Sequence, residues 1–181
     1  MTKIYTKTGD NGTTGLLNGK RYSKDTKIFD VLGTLDELAA VLGYLHSSKK
    51  KKLVLVATGI QNDLFELGSF IAGKKITFED IKRVEQKIKT VEQEIDELDS
   101  KNKPLKNFIL AGGSQDSIKL HHSRVICRRA ERMLVAFSKS KKLPKLAIFS
   151  IYLNRLSDYL FVLARYYNGL GKKDIIWKSG F

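Results

Sequence analysis

Cysteine is nearly missing from this chain. Cys127 stands alone among 181 residues. That excludes an internal disulfide framework and any CxxC or Cys/His zinc pattern. Proline is scarce too: Pro104 and Pro144 are the only two, and both fall between apolar-periodic segments. The three histidines, His46, His121 and His122, form no H-E-x-x-H. Neighbours such as 121 and 122 point about 100° apart on a helix, poor geometry for one metal. Acidic residues are outnumbered, 19 Asp and Glu against 33 Lys and Arg, for a net charge of +14. That balance favours anionic partners such as nucleotides, nucleic acid or a membrane surface. For charge alone, a solvated lysine-rich surface is the simpler account. No uninterrupted apolar run is long enough to span a bilayer, and the opening "MTKIYTK" has no apolar leader. The expectation is a cytoplasmic protein with no membrane segment. The length suits one domain, able to bury about 70% of its unfolded surface.

Helical periodicity is abundant. Residues 28–46 carry Val31, Leu32, Leu35, Leu38, Leu42 and Leu45 at three-and-four spacing. Residues 53–72 repeat it with Val56, Ile60, Leu64, Leu67 and Ile71. Thr77 to Asp80 resembles a capping box, opening a third helix that runs to about residue 100. Its narrow stripe of Ile81, Val84, Ile88, Val91, Ile95 and Leu98 leaves a wide wet face. "FILAGGSQDS" interrupts the pattern, with Gly112 and Gly113 as a turn and Ser114 as cap of a helix reaching about residue 138. The fifth helix spans about 145–168, stopped by Gly169 and Gly171. Five helices with short links predict an all-α five-helix bundle in one domain. Residues 1–25 form an irregular glycine-rich segment outside it, 26–168 the bundle and 169–181 a tail.

That opening segment reads "YTKTGDNGTTGLLNGKRYSKD". Glycine lets a ligand approach backbone amides closely, and successive amides in a turn make a concave anion site. Thr6, Thr8, Thr13 and Thr14 add hydroxyls; Lys7, Lys20, Arg21 and Lys24 add charge. The stretch is neither a Walker A loop nor G-x-G-x-x-G. A plain hairpin with its turn at "DNG" accounts for it equally.

"SRVICRRAERMLVAF" puts Arg124, Arg128 and Arg132 at i, i+4, i+8, with Glu131 beside them. Ile126, Ala130, Met133, Leu134 and Phe137 fall opposite. Stacked arginines repel unless an anion or carboxylate lies between them. Arginine's planar fork suits phosphate and carboxylate. Asp36, at the edge of the first apolar stripe, is a candidate partner for a fourth-helix arginine. Asn154 and Asp158 lie one turn apart in the fifth helix. Surface polarity, with Asp158 pairing Arg155 or Arg165, is the plainer account of that insert.

Together the words "YTKTGDNGTT", "GTLDEL", "FILAGGS", "CRRAER" and "NRLSDYLF" resemble the ATP:cob(I)alamin adenosyltransferases of the propanediol-utilisation type, in that family's order and across nearly the whole chain. The resemblance implies a ferritin-like five-helix bundle, usually a homotrimer with sites between subunits. It implies transfer of the 5'-deoxyadenosyl group from ATP to cob(I)alamin, assisted by Mg²⁺ held through the ATP phosphates. It assigns Thr6, Lys7, Thr8, Gly9, Thr14, Gly15 and Lys24, with Arg128, Arg129, Glu131, Arg132 and Asn154, to ATP. It assigns Asp36 and Arg124 to an intersubunit salt bridge needed for activity, and Phe108 to the corrin side. Ala111 and Ala39 depart from the family's common proline and Asn or Ser, and Lys27 from its common arginine. They leave corrin-side packing open. A reductase or an adenosylcobalamin-dependent enzyme would be a further partner; nucleic acid and membranes would not.

Cob(I)alamin is a strong nucleophile, so such an enzyme needs no catalytic Ser or Cys and works by positioning. Two other classes compete. A basic nucleic-acid-binding bundle explains the charge but not the glycine segment, Asp36 or Asn154. An ATP-binding bundle without turnover explains the segment but needs no corrin pocket.

Overall fold

The protein is described by a computed structural model covering residues 3–180. Five helices form: α1 Lys27–Gly43, α2 Lys51–Ile71, α3 Phe78–Lys101, α4 Gln115–Lys141 and α5 Ala147–Tyr167. Single 3₁₀ turns extend α1 through Tyr44–Ser47 and precede α5 at Pro144–Leu146. The last helical residues therefore differ from the periodicity by a few positions, most at α4, which runs to Lys141.

α5 is the central helix, flanked by α3 and α4; α4 also packs on α1, and α1 on α2. The predicted stripes face inward. Leu38, Leu42, Leu64, Leu134, Leu153 and Leu160 are each at most 2% exposed. Burying a leucine contributes roughly 1.5–3 kcal/mol, so these faces dominate the fold's stability. α5 meets the length and hydropathy of a membrane-crossing helix, but 56% of its apolar window is buried inside the bundle. A core helix surrounded by others has the same composition as a membrane span.

The start of α3 is a complete capping box. The Thr77 hydroxyl accepts from the Asp80 backbone N–H, and Asp80 Oδ2 accepts from the Thr77 backbone N–H at 2.9 Å and its hydroxyl at 2.7 Å. The Thr77 bonds come first, with Arg83 adding to them, in holding the Asp80 carboxyl down to about 2 from 3.8. A carboxyl depressed on folding stabilises the native state above its ordinary value; that contribution is lost as pH falls through the lowered one. Asp80→Asn is therefore expected to lower the melting temperature at neutral pH and to lose less between pH 4 and pH 2 than the parent does. Melting curves across that range check it; parallel acid limbs would refute the assignment.

The N-terminal segment is more regular than its sequence suggests. β1 Thr13–Gly15 pairs antiparallel with β2 Arg21–Ser23, with Thr14 opposite Tyr22. The hairpin turn is at residues 16–20, where the Gly19 N–H donates to Leu16 O and Gly19 takes φ +76°. The expected "DNG" turn exists but lies upstream, feeding β1, with Gly12 at φ +74°. Positive φ at Gly12 and Gly19 explains glycine there. At the far end of the bundle β3 Ile109–Leu110 pairs antiparallel with β4 Ile175–Ile176.

Candidate active site

The glycine segment is a braced loop. Arg21 is its strut: the guanidinium donates to Thr8 O at 2.6 Å, Thr13 Oγ1 at 2.8 Å and Thr13 O at 3.2 Å. Thr6 and Thr8 hydroxyls sit 2.9 Å apart. Lys7 between them adopts a left-handed φ of +59°, a conformation that a non-glycine residue takes at an energetic penalty. A Cβ on Gly9 would stand 3.2 Å from Lys24 Nζ and 3.3 Å from Thr13 O, so glycine lets the Lys24 ammonium close over the loop. The Lys24 N–H also donates to Gly12 O at 2.8 Å. Thr14 is half-buried on β1, and Gly15 ends the strand with open space around it. The glycines thus divide their work: Gly12 and Gly19 make turns, and Gly9 admits a cation.

α4 presents the basic face as predicted, with Ile126, Ala130, Leu134 and Phe137 buried and Arg128 and Arg132 exposed. Arg132 donates to Arg128 O at 3.2 Å. Arg124 lies over the Phe161 ring, its guanidinium carbon 5.3 Å from the centroid. Burial, then the Arg128 charge, pulls Arg124 below the usual arginine value, and Asp158 opposes them. Glu131 accepts from Asn154 at 3.3 Å, and Asn154 accepts from Arg155 at 2.8 Å. Arg155 in turn holds Glu92 at 2.7 Å. Asn154 and the α4 face thus belong to one polar network.

Two expected contacts are different. Asp36 is exposed and forms no ion pair within the chain; its neighbour Glu37 pairs instead, with Arg129. One residue is a 100° turn, and position 37 points toward α4 where 36 points away. Asp158 does not pair Arg155 or Arg165 either. Arg155 takes Glu92, and Arg165 takes Asp174 and Asp99. Asp36 lies in a shallow groove with Leu17, Leu35 and Phe65, where Leu17 and Phe65 are 67% and 70% exposed.

Phe108 stands at the other end, 81% exposed. Trp177 packs edge-on against it, centroids 6.4 Å apart at 84°, and the Trp177 N–H donates to Phe108 O at 2.8 Å. The tail thus joins the Phe108 segment. Beneath this pair, a Cβ on Gly112 would collide with Ile175 at 2.6 Å, and one on Gly113 with Asn168 at 2.2 Å. Sequence reasoning missed Trp177, Arg21 and Phe161. The signal for Trp177 was its being the only tryptophan in the chain, next to a short β-prone pair.

Cys127 is fully buried, its thiol donating to Leu153 O at 3.2 Å, and burial pushes it far above the ordinary cysteine range. A thiolate is the reactive form. Iodoacetamide is therefore expected to spare the native protein at neutral pH and label it fully in denaturant. Labelling of the folded chain, followed by mass, would contradict this burial.

The sequence profile of the cobalamin adenosyltransferase family matches residues 4–167. A corrinoid adenosyltransferase of Citrobacter freundii is 39% identical over 168 residues, spanning 91% of this chain and 94% of that relative. One from Bacillus subtilis (strain 168) is 40% identical over 173 residues, spanning 92% and 86%. Among solved structures, a phenylalanine-to-histidine variant of a PduO-type ATP:corrinoid adenosyltransferase from Lactobacillus reuteri, complexed with cobalamin and ATP, superposes with a TM-score of 0.82 at 32% identity. The match covers 98% of this chain and 97% of that one.

Proposed function

The chain belongs to the cobalamin adenosyltransferase family, and from that premise we propose how its own residues carry out the reaction. It transfers the 5'-deoxyadenosyl group of ATP to the cobalt of cob(I)alamin. The cobalt(I) electron pair attacks C5', the C5'–O5' bond breaks, and its electrons leave with triphosphate, giving adenosylcobalamin.

The observation that carries the residue assignment is the pair of cationic surfaces without carboxylates of their own: the braced loop closed by Lys24, and the exposed arginines of α4. Thr6, Lys7, Thr8, Gly9, Thr14, Gly15 and Lys24 hold the triphosphate through hydroxyls, amides and charge. Arg128, with Arg129, Arg132, Glu131 and Asn154, meets the nucleotide from the other side. As triphosphate departs, charge grows on its bridging oxygen. Preorganised Lys24 and Arg128 donors stabilise that charge without reorganising. Mg²⁺ comes with the phosphates: among the described residues no three His, Cys, Asp or Glu side chains converge on one point. Phe108, backed by Trp177, gives the corrin an apolar face, which favours cobalt without a lower axial ligand and eases its reduction.

The two surfaces belong to different copies of the chain. The hairpin adjoins the C-terminal end of α4, where Tyr22 and Phe137 line one cavity. Phe108 precedes the N-terminal end of the same helix. α4 has 27 residues and is about 40 Å long at 1.5 Å per residue, far longer than an ATP molecule. One copy's loop therefore serves a neighbour's Phe108 and arginine face, in a homotrimer. Asp36 and Arg124, both without an ion-pair partner in the chain, meet across that boundary, and the exposed Leu17 and Phe65 beside Asp36 become buried. The protein works in the cytoplasm as a single domain.

Protein, ATP, Mg²⁺ and cobalamin under strong reductant should yield a light-sensitive adenosyl product and triphosphate. Absence of both, with cobalamin spectroscopically reduced, would sink the reading. Complementation tests the shared site. Lys24→Ala and Arg128→Ala proteins, each nearly inactive, should regain activity when unfolded and refolded together. Mixtures no more active than their components would place both residues in one copy's site.

A further inference from the structure

A second cavity lies beside the hairpin, and it takes none of the residues assigned to ATP. It measures about 980 Å³ and sits at the bundle end where the hairpin, the α2–α3 turn and the α4–α5 turn meet. Its floor is apolar: Phe70, Ile71, Phe137 and Leu146 are each at most 5% exposed. Its rim is cationic: Lys27, Lys74, Lys75, Lys141 and Lys145 all line it, and no carboxylate does. Lys74 reaches Glu66 at 3.8 Å and Lys145 donates to Ile76 O at 3.3 Å. Lys27, Lys75 and Lys141 have no ion-pair partner among the described residues. The wall on the hairpin side is fixed. Gly73 takes φ +107°, and a Cβ there would stand 2.8 Å from Asn18, whose amide donates to Tyr22 at 2.9 Å.

We propose that this cavity binds a small amphiphilic anion, with an aliphatic or ring body on the apolar floor and one phosphate or carboxylate head at the lysine rim. The reasoning is complementarity. An apolar floor in a cavity of ligand size gains from covering. Like charges held around one mouth repel, and an anion among them removes that repulsion and gains attraction to several at once. A neutral amphiphile satisfies only the floor, and a simple anion only the rim. The site stands apart from adenosyl transfer, so neither reading depends on the other.

Decyl phosphate, decanoate and decanol, below micelle-forming concentrations, are titrated into the intact protein by calorimetry. Saturable binding of the two anions at one per chain, with decanol clearly weaker, is expected. The tighter anion identifies the head group. Lys75→Glu combined with Lys141→Glu alters only exposed side chains; it should weaken both anions about tenfold and leave decanol unchanged. Ser140→Trp, also at an exposed lining position, should block all three by filling the cavity. Melting curves confirm that each variant is folded. The proposal is overturned if decanol binds as tightly as the anions, if charge reversal leaves anion affinity unchanged, or if no saturable binding occurs.

Discussion

Replacing Arg128 by alanine is expected to reduce adenosyl transfer by about 100- to 1,000-fold, the range seen when one preorganised donor to a developing charge is removed. The fold should survive. Arg128 is exposed on α4, its side chain forms no ion pair within the chain, and the buried face of that helix is made by Ile126, Ala130 and Leu134. Surface substitutions away from caps and networks usually change stability by less than about 0.5 kcal/mol. Arg132 will lose nothing of its bond to the 128 position, because it donates to the backbone carbonyl there. Arg128→Lys separates charge from geometry: an ammonium keeps the charge but not the two-pronged fork. It should recover part of the lost rate and leave ATP affinity less changed than kcat. An Arg128→Ala protein with near-parental turnover would remove this residue from the reaction.

The helices were legible because burial imposes a 3.6-residue period over seventeen residues or more, and that period survives in α1 through α5. The caps at Thr77 and Ser114 were legible for a different reason: they are local, needing only residues three apart. What the sequence hid depends on distance. Ile175 and Ile176 form a strand too short for any periodicity, and their partners lie at Ile109 and Leu110. The pairing of Glu37, not Asp36, with Arg129 turns on a single 100° step that apolar spacing does not resolve. In the glycine segment the residue types suggested anion binding, but Arg21, taken as one more charge for the ligand, is spent on bracing Thr8 and Thr13. A cation's role is decided by what carbonyls surround it, and that is tertiary information.

Arg165→Ala is expected to destabilise the protein by about 3–5 kcal/mol, the range for removing one partner of a buried ion pair. Its side chain is 3% exposed and that of Asp174 is 7% exposed, joined Nε to Oδ2 at 2.8 Å. The same guanidinium donates to Lys103 O and lies 3.5 Å from Asp99. A Cβ on Gly171 would stand 2.8 Å from it, so the tail backbone turns directly over the charge. Without Arg165, Asp174 is left buried with only the Asn168 amide, at 3.1 Å. The cheapest relief is for residues 171–177 to leave the bundle. β4 would then part from β3, and Trp177 from Phe108. For a chain of this size the melting temperature should fall by about 10 °C. Trp177 is the sole tryptophan, so its emission should shift to the red, and limited proteolysis should trim the tail first. Because Asn168 also anchors the Ser114 N–H at 3.0 Å, the turn carrying Gly112 and Gly113 should loosen as well. Arg165→Lys should fall between, since one ammonium cannot serve Asp174, Asp99 and Lys103 O together. Adenosyl transfer is expected to decline with tail release, through KM for the corrinoid more than for ATP, because the loop that holds triphosphate is at the opposite end of the chain's bundle. Unchanged melting together with unchanged emission would show that the tail is held by something other than this arginine.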